Sequence, residues 1–166
     1  MAGISGPAVL DRGHVNGNDD QQDRPGDADD LLAARLGLPL TEFWHLAGSS
    51  WQHVDVAPEL GQGCDWYAAG EPLQVMLGLA PGSSDVLVGR PEGRWGHRGH
   101  GLSYVPSSPV AVERLEDLSA AVSAVCQARR RAFRWCRYCR LPTPPEYRDE
   151  PDVCMSCAER VLGVVH

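Results

Sequence analysis

The sequence predicts an α+β fold, a small antiparallel sheet with flanking helices, preceded by a disordered N-terminal arm and followed by a treble-clef-like four-cysteine finger. Three observations carry that expectation. Apolar residues recur at helical spacing around residues 31–36 and again from residue 115 to 132. Between those stretches, short apolar runs alternate with turn residues, as in a meander of strands. In the last quarter, Cys136, Cys139, Cys154 and Cys157 give C-x2-C-x14-C-x2-C, the spacing of a four-thiolate metal site. The boundaries that follow are an arm over 1–26, an α+β domain over 27–134 ending in a long helix, and a finger over 135–166.

Residues 1–26 are mostly glycine, asparagine, aspartate and glutamine, too poor in large apolar groups to bury a core, which predicts disorder. His14 in that arm has no other metal-binding residue near it. Asp27, Asp29 and Asp30 then precede Leu31-Leu32-Ala33-Ala34-Arg35-Leu36, placing acids where a helix begins and Gly37 where it stops. After Leu38-Pro39-Leu40, Thr41 is the expected cap of a second helix that ends at Gly48. Leu36, Phe43 and Leu46 are assigned to the core; His45 and His53 are read as packed or solvated rather than ligating.

Strands are predicted at 73–77 and 85–89. Arg90-Pro91-Glu92-Gly93-Arg94 is read as a turn that sends the chain back along Arg94-Trp95-Gly96. Leu102–Val105 and Val110–Val112 are further strand candidates. From Leu115 the apolar positions Leu115, Leu118, Val122 and Val125, with Ala121 between them, form one stripe. The helix they predict runs through Ala132 and delivers the chain to Trp135 and Cys136, with Cys126 on its apolar side as a core residue.

Two residues between cysteines let one tight turn aim both sulfurs at a common centre, and two such turns complete a tetrahedron of soft ligands. Zinc suits this best. A rubredoxin-like iron site and a reactive dithiol are the alternatives that share the spacing. A site of four cysteines leaves no coordination position for water or substrate, so the metal, one Zn2+, is expected to be structural. Pro142, Pro144, Pro145 and Pro151 lie between the pairs and predict a rigid connecting loop. Ala158–Leu162 is read as a short helix opened by the second pair and ended by Gly163.

The segment resembles the four-cysteine finger of DksA/TraR-type transcription factors, in which a helix enters C-x2-C, a proline-bearing loop follows and a second C-x2-C leads into a helix. The likeness spans about thirty residues, and Arg140 stands where that family has glycine. No acidic-tipped helical hairpin precedes it. A second likeness covers residues 31–125. Leu36-Gly37-Leu38-Pro39-Leu40 between two short helices, followed by a meander and a closing helix, resembles the SUKH superfamily of bacterial immunity proteins, although Gly48-Ser49-Ser50 replaces that family's usual Asn-Gly. The first resemblance implies a regulatory contact with macromolecules, the second toxin neutralisation with the finger as a staple.

All fifteen basic residues are arginine, which with abundant alanine, glycine and proline matches a GC-rich bacterial genome such as that of an actinobacterium. A net charge of −7 argues against a protein that coats nucleic acid, and residues 1–35 hold seven aspartates against three arginines. Without a basic-then-apolar leader or a long apolar run, a cytoplasmic chain with no membrane contact is expected. Paired cysteines without an export signal favour thiols on a metal over disulfides.

Arg129, Arg130, Arg131, Arg134, Arg137 and Arg140, interleaved with Phe133, Trp135 and Tyr138, are the strongest functional feature after the cysteines. Arginine grips phosphate or carboxylate while an aromatic stacks, so Arg130, Arg134, Arg137, Trp135 and Tyr138 are assigned to a partner surface, for nucleic acid or protein. His97 and His100, with Cys64 upstream, are the remaining candidates for a site. Phosphate-binding glycine loops, esterase elbows and HExxH motifs are absent from the sequence. The expectation is therefore a non-enzyme without a small-molecule substrate, contacting a macromolecular partner.

Overall fold

The computed structural model describes residues 27–83, 85–96 and 101–164. The expected disordered arm with His14, and the His97 and His100 pair, lie outside the described residues. Within them the chain is α+β, with an antiparallel sheet, its three longest helices on one face and a cysteine cluster at the C-terminal end.

Helix α1 (Asp27–Arg35) starts earlier than the sequence implied, because Asp27, Asp29 and Asp30 form its first turn. In α2 (Leu40–Ala47), Pro39 rather than Thr41 holds the N-cap position, and Gly48 closes the helix at φ 82°. Leu32, Ala33, Phe43 and Ala47 are buried at the junction, with Leu36 and Leu46 packed at its margin. Asp29 does more than favour a helix end. Buried, it accepts the Trp51 amide at 2.8 Å on one oxygen, and Trp44 Nε1 at 2.9 Å and the Ser50 amide at 3.0 Å on the other. That carboxylate fixes the loop leading into the sheet, since buried amides need partners.

The sheet consists of β1 (Gln52–Val54), β2 (Asp65–Ala69), β3 (Val75–Leu79), β4 (Val86–Trp95) and β5 (Leu102–Val112), paired in that order, with α3 (Pro58–Gly61) between β1 and β2. Tyr67, Ala69, Val75, Leu77, Leu79, Val86 and Val88 point toward α1, α2 and the later helix α4 (Leu118–Arg131). Trp66, Ala68 and Met76 point the other way, into a second cluster with Val54, Leu87 and Tyr104. Both faces are thus apolar in the middle of the sheet, so β2 and β3 show no alternation. The Trp66 indole lies over Gly78, where an added Cβ would come within 2.7 Å of the ring, and its Nε1 donates to the Gly61 carbonyl at 2.8 Å.

Three strand expectations are corrected, the first being that Leu102–Val105 and Val110–Val112 are parts of one strand, β5. Strand β3 begins at Val75, because Leu73 and Gln74 belong to a turn closed by the Gln74 amide on the Ala69 carbonyl at 2.8 Å. The turn expected at 90–94 does not exist. Strand β4 runs straight through it, with Pro91 opposite Pro106 and Trp95 opposite Leu102 on β5, after a register shift between Val88 and Arg90. The proline is tolerated because β3 pairs only as far as Gly89, leaving the outer half of β4 as an open edge that needs no further donors. The β4–β5 ribbon therefore projects beyond the rest of the sheet.

Helix α4, entered by a 3-10 turn at Leu115–Asp117, packs on α2, β3, β4 and β5, with Leu118 fully buried and Val122, Val125 and Cys126 along the same contact. Past it, β6 (Arg134–Trp135) pairs with β7 (Pro142–Thr143), and β8 (Arg148–Glu150) pairs with β9 (Val153–Cys154). The short helix α5 (Met155–Cys157) widens into a π-type turn over Ala158–Leu162 that Gly163 ends at φ 70°. The proline-bearing connection is accordingly more ordered than a plain loop. Among the described residues no helix is long and apolar enough to cross a membrane.

Candidate metal centre

Cys136 and Cys139 occupy the tip of the β6–β7 hairpin; Cys154 ends β9, and Cys157 lies in the first turn of α5. Backbone contacts join the two halves. The Arg137 amide donates to the Asp152 carbonyl at 2.8 Å, and the Cys154 amide donates to Cys136 Sγ at 3.4 Å. Within the first half, the Cys136 amide reaches the Leu141 carbonyl and the Arg140 amide the Cys136 carbonyl, both at 3.0 Å. Arg140 makes that turn at φ 60°, in the left-handed region that favours glycine.

The four sulfurs all lie within 4.8 Å of one another, and Cys139 Sγ and Cys154 Sγ are 3.8 Å apart. A tetrahedron with metal–sulfur bonds of about 2.3 Å has edges of about 3.8 Å, whereas a disulfide would bring two sulfurs to about 2.0 Å. All four are free thiols placed as a metal would need them. Cys136 and Cys157 are buried against Val153 and Ala158, with Cys139, Cys154 and Val164 at the edge.

The amides of Cys154, Cys139 and Tyr138 all face Cys136 and hold its thiol down to about 6, against the effect of burial. Burial pushes Cys154 the other way, up to about 12, with only the Cys157 amide opposing it. Thiolates gathered in so small a volume would need a cation to compensate them. Arg160 adds a charge that sequence inspection missed. Its Nε is held by the Ser156 carbonyl at 3.1 Å, and its terminal nitrogen lies 3.9 Å from Cys157 Sγ. Such outer contacts orient ligands and temper their charge.

The cluster is tied to the sheet through Glu146, which lies between the cysteine pairs. Its carboxylate pairs with Arg129 of α4, and the two side chains are only 2% and 3% exposed. Arg129 also donates to the Leu73 carbonyl at 3.1 Å. From the far end of the β4–β5 ribbon, Trp95 Nε1 donates to the Glu146 carbonyl at 2.9 Å, and the Tyr104 hydroxyl lies 3.4 Å from the carboxylate and 3.2 Å from the Tyr147 hydroxyl. Burial holds the Tyr104 hydroxyl above its ordinary range, so it remains a donor. Nothing in the local sequence marks Glu146, because its partners come from three separate elements.

The arginine run is divided by this arrangement. Arg129 is consumed by Glu146, and Arg137 is held between Glu150 at 3.5 Å and Asp152 at 3.7 Å while lying over the Tyr138 ring. Arg130, Arg134 and Trp135 instead meet at a cleft of about 570 Å³, facing Pro72 and Gln74 of the β2–β3 turn. The five residues assigned to a partner surface thus fall into two groups, Arg130, Arg134 and Trp135 at the cleft and Arg137 with Tyr138 at the first cysteine turn.

Cys64 lies beside the Trp66 cluster, where burial raises its pKa, and the same effect raises that of Cys126 against the core. Neither is an activated thiolate. No family model matches this sequence, and no curated protein or solved structure matches it either.

Proposed function

We propose that Cys136, Cys139, Cys154 and Cys157 hold one structural zinc ion in a treble-clef finger, and that the chain is a non-catalytic regulatory protein whose finger and neighbouring arginines contact a macromolecular partner. The observation that carries this is the closed set of four sulfurs, half-buried and braced by backbone amides. Two-residue spacing within both pairs is that of structural zinc sites, and iron would find the same geometry. With four thiolates on it, the ion has no position left for substrate and supplies folding energy, about 10–16 kcal/mol in small finger peptides.

The contact surface follows from where the finger is held. Glu146 fixes it beside the end of α4, which brings Trp135, 66% exposed, next to Arg130 and Arg134. A large exposed aromatic between uncommitted arginines is the composition of a binding site. Crosslinking of the zinc-loaded chain in its host, compared with an Arg130→Gln, Arg134→Gln, Trp135→Ala triple variant, tests it. Capture of a macromolecule that the variant loses is the expected result; equal capture would place the contact elsewhere. The order of two helices, meander and closing helix favours one other reading, a SUKH-like immunity protein stapled by the finger. Capture of a single basic toxin by the variant and the parent alike would decide for that reading.

A further inference from the structure

We propose that the cleft beside the finger receives an extended peptide segment of a partner protein, apolar along its length and carrying a carboxylate. This rests on the reading of the finger as a contact surface and names the chemistry of what it contacts. The cleft is lined by Pro72, Phe133, Trp135 and Pro142 together with Arg130 and Arg134. It shares Glu71, Pro72 and Pro142 with a second crevice of about 360 Å³, which adds Leu141, Pro144 and Tyr147. The two adjoin as one groove. Leu141 is 62% exposed and Trp135 more so, an unusual concentration of large apolar side chains in water unless something covers them.

The lining selects the kind of chain. Proline and aromatic rings recognise an extended or polyproline-like peptide through its side chains. Pro72 and Pro142 have no amide to offer, so these positions cannot donate to an added strand. Charge selects the rest. Among the described residues no carboxylate pairs with Arg130 or Arg134, although the protein as a whole carries −7. Arg130 Nε is held by Gln74 Oε1 at 3.1 Å, and one terminal nitrogen of Arg134 by the Arg131 and Phe133 carbonyls at 2.9 Å. Those bonds orient the guanidinium heads without pairing them to a carboxylate among the described residues, and two arginines against the one Glu71 carboxylate on the same lining leave the cleft positive, complementary to an Asp or Glu side chain.

Nucleic acid fits the same groove less well. A phosphate backbone needs a row of cations, because its binding strength grows with the number of phosphates neutralised. Here Glu146 and the pair Glu150 and Asp152 have taken Arg129 and Arg137, which leaves two cations, Arg130 and Arg134, among the described residues that line the groove.

The test selects random short peptides displayed on phage against the immobilised, zinc-loaded full chain, in parallel with a random single-stranded DNA pool. Enriched peptides should combine Asp or Glu with Leu, Phe, Trp or Pro. A synthetic peptide of the enriched sequence should lose roughly tenfold or more in affinity both in Arg130→Gln, Arg134→Gln and in Trp135→Ala. Zinc content and the far-UV spectrum of both variants should match the parent, which separates lost contact from lost structure. No enrichment over bare support, or a selected peptide that binds the variants as well as the parent, overturns the proposal. Enrichment of DNA that the variants release would overturn the peptide and keep the contact surface. A chain that carries zinc and enriches neither pool loses both the groove and the contact reading, with the metal site standing.

Discussion

Arg140 turns the chain immediately after the first cysteine pair with φ 60°, a conformation that costs an ordinary L-residue about 1 kcal/mol relative to glycine. Arg140→Gly should therefore stabilise the finger by up to about that amount, measured as a higher melting temperature of the zinc-loaded chain or slower zinc loss to a chelator. A lower melting temperature would show that the arginine side chain contributes something the turn needs. The Glu146 carboxylate is the opposite case, a residue that fits where it stands and has no substitute. Removing it strands the buried Arg129 guanidinium, so Glu146→Ala should cost about 3–5 kcal/mol in urea unfolding. Replacing both partners, Arg129→Met with Glu146→Leu, should recover much of that loss. The cysteine ligand set was legible in sequence because its spacing is local. Glu146 was not, since its partners on α4 and the β4–β5 ribbon meet it only after folding, and Arg129 looked like one more member of an arginine run read as a functional surface.

At the scale of elements, the β4–β5 ribbon matters most for the site, because it is what reaches the finger. Gly93 lies so close to Glu146 that an added Cβ would sit 2.6 Å from its Cβ. Gly93→Ala should push the finger off the ribbon and lower stability by about 1–3 kcal/mol, the usual effect of overpacking. Unchanged stability and an unchanged environment at Trp95, read from its fluorescence, would mean the contact yields without cost. The sequence misread this ribbon because proline and glycine in Arg90-Pro91-Glu92-Gly93-Arg94 are turn residues in isolation. Here the proline lies on an open edge and the glycine makes room for another element, two facts of tertiary position. Helix α4 was legible because its stripe is long and one-sided. Strand β2 was not, since Asp-Trp-Tyr-Ala-Ala is covered on both faces and shows no period of two.

For the whole molecule, the C-terminal unit has a small core of its own, centred on Cys136, Val153, Cys157 and Ala158, too few apolar groups to hold it without the proposed ion. Chelation should therefore melt the finger and dissolve the groove, while the sheet and its helices, with their larger core, keep most of their structure. Loss of the entire far-UV signal on chelation would show instead that the Glu146 contacts make the two cores one cooperative unit. The central claim, one structural ion on four thiolates, is tested most directly by native mass spectrometry of freshly isolated, reduced protein combined with thiol alkylation before and after chelation. The account predicts a mass increment of about one zinc per chain, and alkylation of Cys136, Cys139, Cys154 and Cys157 only once the metal is removed. A chain without metal whose four thiols react at once, or one with disulfides between the two pairs, would contradict it.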